Sequence, residues 1–212
     1  MIKHLFTIDA SAITKKTEKK QKEVSYKMFL PEDYKSPSST DDYMKIVDGD
    51  NRFRILSKPI IGWEEWVEDE KGSRPIRYKM NEKPATPIDP KKPIRHFWAF
   101  IVYNVLEKKI QILNLCQNSI RKQIEEIINN TDWGSPYEYD IVIKRTGTKV
   151  ETKYNVMPTP HRPVSEEVKD MFHLKPGCLD LLFINGHPFE QADPRTKAFW
   201  ENEVSIEDHD AD

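Results

Sequence analysis

Apolar and polar residues alternate through most of residues 51–157, interrupted once by a helical period. Asn51 to Ser57 sets Phe53 and Ile55 against Arg52 and Arg54, which predicts a half-buried strand carrying two guanidiniums on its other face. After Pro59 the pattern resumes from Ile60 to Val67 with Trp63 and Trp66, and Arg74 to Met80 makes a further short strand. Lys83 to Pro93 holds four prolines, cannot pair regularly, and reads as a loop. Arg95 to Leu106 and Lys109 to Cys116, turning at Glu107-Lys108, form the clearest hairpin in the chain. The period then changes. Ile120, Ile124, Ile127 and Ile128 make one helical stripe, with Asn118 or Ser119 to cap it and Asn129-Asn130 to end it. Two more strands follow, Tyr137 to Arg145 and Thr152 to Met157, joined around Gly147. Alternating strands with one helix inserted late predict a mainly β fold closed into a small barrel.

The flanks differ from this body. Residues 1–42 read as a basic, flexible arm and linker: Lys15, Lys16, Lys19, Lys20 and Lys22 cluster, and Ser36-Pro37-Ser38-Ser39-Thr40 is linker chemistry. Residues 43–162 are the body. Residues 163–200 read as an extension in which Ser165 caps a short helix, followed by the apolar patch Leu179 to Ile184. Residues 201–212 are expected to be a disordered acidic tail.

Charge sharpens that division. The 212-residue chain has a net charge of −2, yet residues 43–162 carry 21 Lys and Arg against 16 Asp and Glu, and residues 163–212 carry 4 against 12. The tail holds Glu201, Glu203, Glu207, Asp208, Asp210 and Asp212 with no Lys or Arg. A basic, aromatic body followed by an acidic end suits reversible binding of a polyanion, the tail occupying the basic surface when nucleic acid is absent. The acidic bias begins near Ser165, so the competing element is expected to include residues 179–189.

Composition excludes several classes. No run of eighteen apolar residues exists, so no membrane span is expected, and the first residues lack a secretory apolar core. Cys116 and Cys178 stand 62 apart without a CxxC, which points to a reducing cytoplasm and away from a disulfide framework or structural zinc. The histidines show no ligand spacing, so neither a metal nor a cofactor is expected. GxxxxGK[ST], GxGxxG and GxSxG are all absent, which removes the hardware for nucleotide hydrolysis and serine-type acyl transfer.

What remains is basic residues interleaved with aromatics. Unpaired bases stack on aromatic faces while Lys and Arg neutralise phosphates. Strand alternation places about half of the aromatics in the core. On Arg95–Tyr103 it does not decide which set faces in, though the more apolar set containing Trp98 is the expected buried one. Trp63, Trp66 and Tyr78 are flanked by charges and make the better stacking candidates. The expected nucleic-acid-binding set is Arg52, Arg54, Trp63, Trp66, Arg77, Tyr78, Lys144 and Lys153.

The ordered blocks Gly49-Asp50-Asn51-Arg52-Phe53-Arg54-Ile55-Leu56-Ser57, Gly62-Trp63-Glu64-Glu65-Trp66, Arg95-His96-Phe97-Trp98-Ala99, Ile110-Gln111-Ile112-Leu113 and Trp133-Gly134 resemble phage-type single-stranded DNA-binding proteins over roughly residues 43–160. That resemblance implies a non-enzymatic, five-stranded OB-fold barrel that coats single-stranded DNA in phage replication and recombination. It also implies an acidic tail for replisome or recombination partners, and residence in the host cytoplasm. The sequence leaves oligomeric state and tail partner open. Two rival readings exist. Asp140 followed by Glu151-Thr152-Lys153 has the acid…acid-x-Lys spacing of some Mg²⁺-dependent nucleases. Alternatively, Leu179–Ile184 docks on a polymerase or recombinase.

Overall fold

Pro59 has no N–H to donate, and the Ser57-Lys58-Pro59 step separates β1 (Gly49–Ile55) from β2 (Ile60–Asp69). Both nonetheless pair antiparallel with the same neighbour, β4 (Arg95–Asn104). At the bend the Ser57 hydroxyl accepts the Ile101 N–H at 2.9 Å, and the Leu56 N–H donates to the Ile101 carbonyl. A side chain thus supplies the acceptor for the Ile101 N–H at the bend, and β1 and β2 act as one bent strand.

The computed structural model describes residues 39–70 and 72–190. Most of the expected basic arm and the whole acidic tail lie outside them. Adding β3 (Gly72–Lys79), β5 (Lys109–Leu115), β6 (Asp140–Thr146) and β7 (Lys153–Pro158) gives seven antiparallel strands in one open sheet. The order is β3-β2-β4-β1-β6-β7, with β5 on the other edge of β4. The mainly β expectation holds. Among the described residues the strand pairings do not join β5 to β7.

Helix α1 (Asn118–Asn129) contacts both of those strands. Its residues Ile120, Ile124 and Ile127 are buried, as their spacing predicts, while Ile128 is exposed. The N-cap is Gln117, and no side chain caps the helix. Gln123 does something the helical pattern does not show. Its amide donates to the Tyr154 carbonyl at 3.1 Å and accepts the Val156 N–H at 2.9 Å, so it meets the edge of β7 as a neighbouring strand would.

Both faces of β4 are covered. Phe100 and Val102 join Phe53, Ile55, Leu113, Leu115, Ile141, Ile143 and the α1 isoleucines in a first core. Phe97, Ala99 and Ile101 face the other way, into a second core with Ile110, Ile112, Val168, Phe172, Leu179 and Leu182. The question of which set faces in has the answer that both do. Helix α2 (Glu166–Leu174) and the 3-10 turn Leu179–Ile184 close the second core. Leu179 and Leu182 are 3% and 1% exposed. Leu179 and Leu182 are therefore built into the domain, and freeing the segment to travel with the acidic tail would expose them at about 1.5–3 kcal/mol each, whereas Ile184 of the same patch is 73% exposed. Among the described residues no helix is long and apolar enough to cross a membrane.

Candidate nucleic-acid interface

Directly opposed residues in an antiparallel sheet share a face. Trp63 stands opposite Tyr78 on β3 and opposite His96 on β4, and Ile61 stands opposite Trp98. Four rings thus gather on one face of the β3-β2-β4 region, the face that continues the first core. Trp98 packs partly against that core. All four rings are half-buried, while Ile61 and nearby Met80 are 43% and 45% exposed.

Hydrogen bonds orient each ring. Trp63 Nε1 donates to the Met80 carbonyl at 3.2 Å, and its indole lies 5.1 Å from the His96 ring, centroid to centroid. Trp98 Nε1 donates to His96 Nε2 at 3.2 Å. An indole N–H can only donate, so His96 Nε2 is the acceptor and Nδ1 carries the proton, donating to the Gly62 carbonyl at 2.8 Å. The Tyr78 hydroxyl donates to Glu65 Oε1 at 2.7 Å, and Glu65 Oε2 accepts the Ile88 N–H. Burial, then the hydrogen bond and charge of Glu65, push the Tyr78 phenol up to about 12. Glu65 therefore pins the proline-rich loop against the aromatic face. Lys83 from the same loop places its ammonium 4.0 Å from the Trp63 ring centroid.

Gly62 is required here. A Cβ would run into the Tyr78 carbonyl and press on Phe183 and Phe97, preventing β3 from lying close to β2.

The expected set does not come together on one surface. Trp63 and Tyr78 do. Trp66 and Arg77 occupy the opposite face of the β2–β3 hairpin, bound to Glu64, which is 1% exposed. Glu64 accepts Trp66 Nε1, Arg77 Nε and Asn114 Nδ2 at 2.9 Å each, and Cys116 Sγ at 3.3 Å. The Arg77 guanidinium also lies 5.5 Å over the Phe97 ring. These contacts tie Trp66 and Arg77 to buried Glu64, away from the Trp63 face. Burial, followed by Glu64's charge and hydrogen bond, raises the Cys116 thiol to about 12.

Arg54 is buried too. Its Nε donates to Asp140 Oδ1 at 2.6 Å, and its NH1 donates to the carbonyls of Tyr137 and Arg162. Arg52 meets Asp140 Oδ2 through Nε and NH2, at 2.7 and 2.6 Å, with its side chain 40% exposed. Lys144 and Lys153 are exposed on β6 and β7.

The nuclease constellation is not assembled. Asp140 begins β6, whereas Lys153 pairs with Thr146 at the far end of that strand and Glu151 lies in the turn beyond it. The six residue steps from Asp140 to Thr146 span about 20 Å at roughly 3.3 Å each. Asp140 is, moreover, enclosed by Arg52, Arg54 and Arg162. No cluster of three or more His, Cys, Asp or Glu suited to a metal ion occurs among the described residues.

Two residues escape the expected set altogether. Lys83 sits in a loop that the sequence marks only by its prolines, and Arg162 lies beyond the last predicted strand of the body. Neither has a local signal. No protein-family profile matches the chain, and no curated protein matches it in sequence.

Proposed function

We propose that the protein binds single-stranded DNA without sequence preference, stacking bases on the Trp63–Tyr78 face. The cross-strand row Tyr78–Trp63–His96, next to exposed Ile61 and Met80, is the observation that supports this reading. A stacked base is worth about 1–3 kcal/mol, and every base offers a π-face, so such a row gives affinity without base selection. Lys83 supplies a cation at the same ring. The architecture is read as OB-type, with β1 and β2 as its long bent strand and α1 bridging β5 and β7 where strands would otherwise close the barrel.

In this proposal the acidic residues Glu201, Glu203, Glu207, Asp208, Asp210 and Asp212 compete with DNA and recruit replication or recombination partners. The protein acts in phage DNA metabolism in the host cytoplasm. A titration with oligo-dT, read by tryptophan emission across a salt series, tests the reading. Saturable quenching that weakens with salt supports it, and no binding near physiological salt overturns it. Deleting residues 201–212 is expected to tighten binding most at low ionic strength, where unscreened charges compete best.

A further inference from the structure

The basic residues that fail to join the aromatic face share a surface of their own. On β1, β6 and β7, four successive cross-strand rows present Arg54 with Asp140, Arg52 with Val142 and Met157, Asp50 with Lys144 and Asn155, and Thr146 with Lys153. Rows on one face of a strand step by about 6.6 Å, comparable with the spacing of phosphates along an extended strand. This face is opposite to the one that carries Phe53, Ile141, Ile143 and Val156 into the first core.

Its charge is one-sided. Arg52, Arg54, Lys144 and Lys153 of the rows, with neighbouring Arg162, stand against Asp140 and Asp50, and Glu167 of α2 also acts on Tyr103 at the cleft. Asp140 is 2% exposed and already serves three guanidiniums: Arg54 at Oδ1, and Arg52 and Arg162 at Oδ2. One buried carboxylate cannot neutralise three arginines. The side chains of Arg52 and Arg162 are 40% and 63% exposed, so the surplus charge faces outward. Beside them opens a cleft of about 320 Å³ lined by Arg54, Arg162, Tyr103 and Ser165. On β1, β6 and β7 these rows hold no aromatic residue; the Arg54 row continues on β4 to half-buried Tyr103, at the edge of the cleft. Val142, Asn155 and Met157 separate the cations instead.

We infer that this face is a second, separate polyanion site that takes the phosphodiester backbone of nucleic acid by charge alone, while bases stack on the other face. The ligand is either a duplex or a second single strand. The inference rests on nucleic acid being the ligand of the aromatic face, and reciprocal variants separate the two claims. The probes are a short oligo-dT read by tryptophan quenching, a labelled duplex, and a labelled second strand offered to protein already saturated with the short oligo.

In the triple variant Lys144→Glu/Lys153→Glu/Arg162→Glu, capture of the duplex or of the second strand is expected to fall by about tenfold or more at low salt. Short oligo-dT binding, compared near physiological salt where charges are screened beyond about 8 Å, should stay within about twofold. Trp63→Ala should show the reverse. Whichever labelled probe wild type captures identifies the source of the backbone. The inference is overturned when wild type captures neither probe, when the triple variant captures them undiminished, or when it loses short oligo-dT in equal measure. Loss of oligo-dT quenching in wild type with duplex capture intact would instead overturn only the aromatic-face reading. The neutral triple Lys144→Gln/Lys153→Gln/Arg162→Gln, with an unchanged urea midpoint, serves where charge reversal disturbs folding and must show the same pattern.

Discussion

Lys83 Nζ lies 4.0 Å from the centroid of the Trp63 indole, the ring at the middle of the cross-strand aromatic row. An ammonium on a ring occupies space that a base would use. Such a contact is worth about 0.5–1 kcal/mol at an exposed site, less than a stacked base. DNA is therefore expected to displace Lys83 from the ring onto a phosphate. Lys83→Met should lower the slope of log K against log salt by about 0.7, one single-strand phosphate, without weakening binding at high salt. An unchanged slope would show that Lys83 meets no phosphate.

Asp140 is the hinge of the arginine cluster. Its side chain and that of Arg54 are 3% and 4% exposed. Removing one partner of a buried pair leaves the other charge uncompensated, at about 3–5 kcal/mol. Asp140→Asn should lower the urea unfolding free energy by that order. Arg52→Ala, removing a partner 40% exposed, should cost about 1 kcal/mol or less. Equal costs for the two variants would contradict the assigned roles.

Gln123 stands in for a strand at the edge of β7. Gln123→Ala leaves the N–H of buried Val156 without its partner, and an unmet buried group costs about 1–3 kcal/mol. Denaturant unfolding and amide exchange of Val156 check this, and exchange as slow as in wild type would refute it.

Cys116 is held as a thiol by burial and by Glu64. With its ionisation pushed up to about 12, the reactive thiolate is scarce at neutral pH. Alkylation of Cys116 in the native protein should be far slower than in urea. Glu64→Gln removes the neighbouring charge and should speed it. Rapid native alkylation would contradict the buried network.

Tyr78 supplies a pH test. Its phenol ionises near 12 in the folded chain against an ordinary 10.0. A raised folded value stabilises the protein fully below pH 10 and loses that contribution as pH rises through 12. The absorbance titration of wild type minus Tyr78→Phe should have its midpoint near 12. A midpoint near 10 would mean that the Glu65 contact does not hold Tyr78.

The strands were legible because alternation survives wherever one face is polar, as with Arg52 and Arg54 against Phe53 and Ile55. It fails on β4, where Phe97 and Phe100 lie in different cores. A strand buried on both sides has no polar face to read. The site was half legible. Trp63 and Trp66 look alike in sequence, each flanked by acids, yet a three-residue spacing puts them on opposite faces of β2. Only the register to β3 shows that Glu64, 13 residues before Arg77, binds that arginine. Asp140 is likewise 86 residues from Arg54, beyond the reach of any local pattern.

The central claim is that bases stack at Trp63 and Tyr78 and not at Trp66. Its most direct measurement is the oligo-dT affinity of wild type, Trp63→Ala, Trp63→Ala/Tyr78→Ala and Trp66→Phe at one salt concentration. Trp63→Ala should lose about 1–3 kcal/mol, the double variant should lose more, and Trp66→Phe should keep wild-type affinity. Undiminished affinity in the double variant would contradict the central claim.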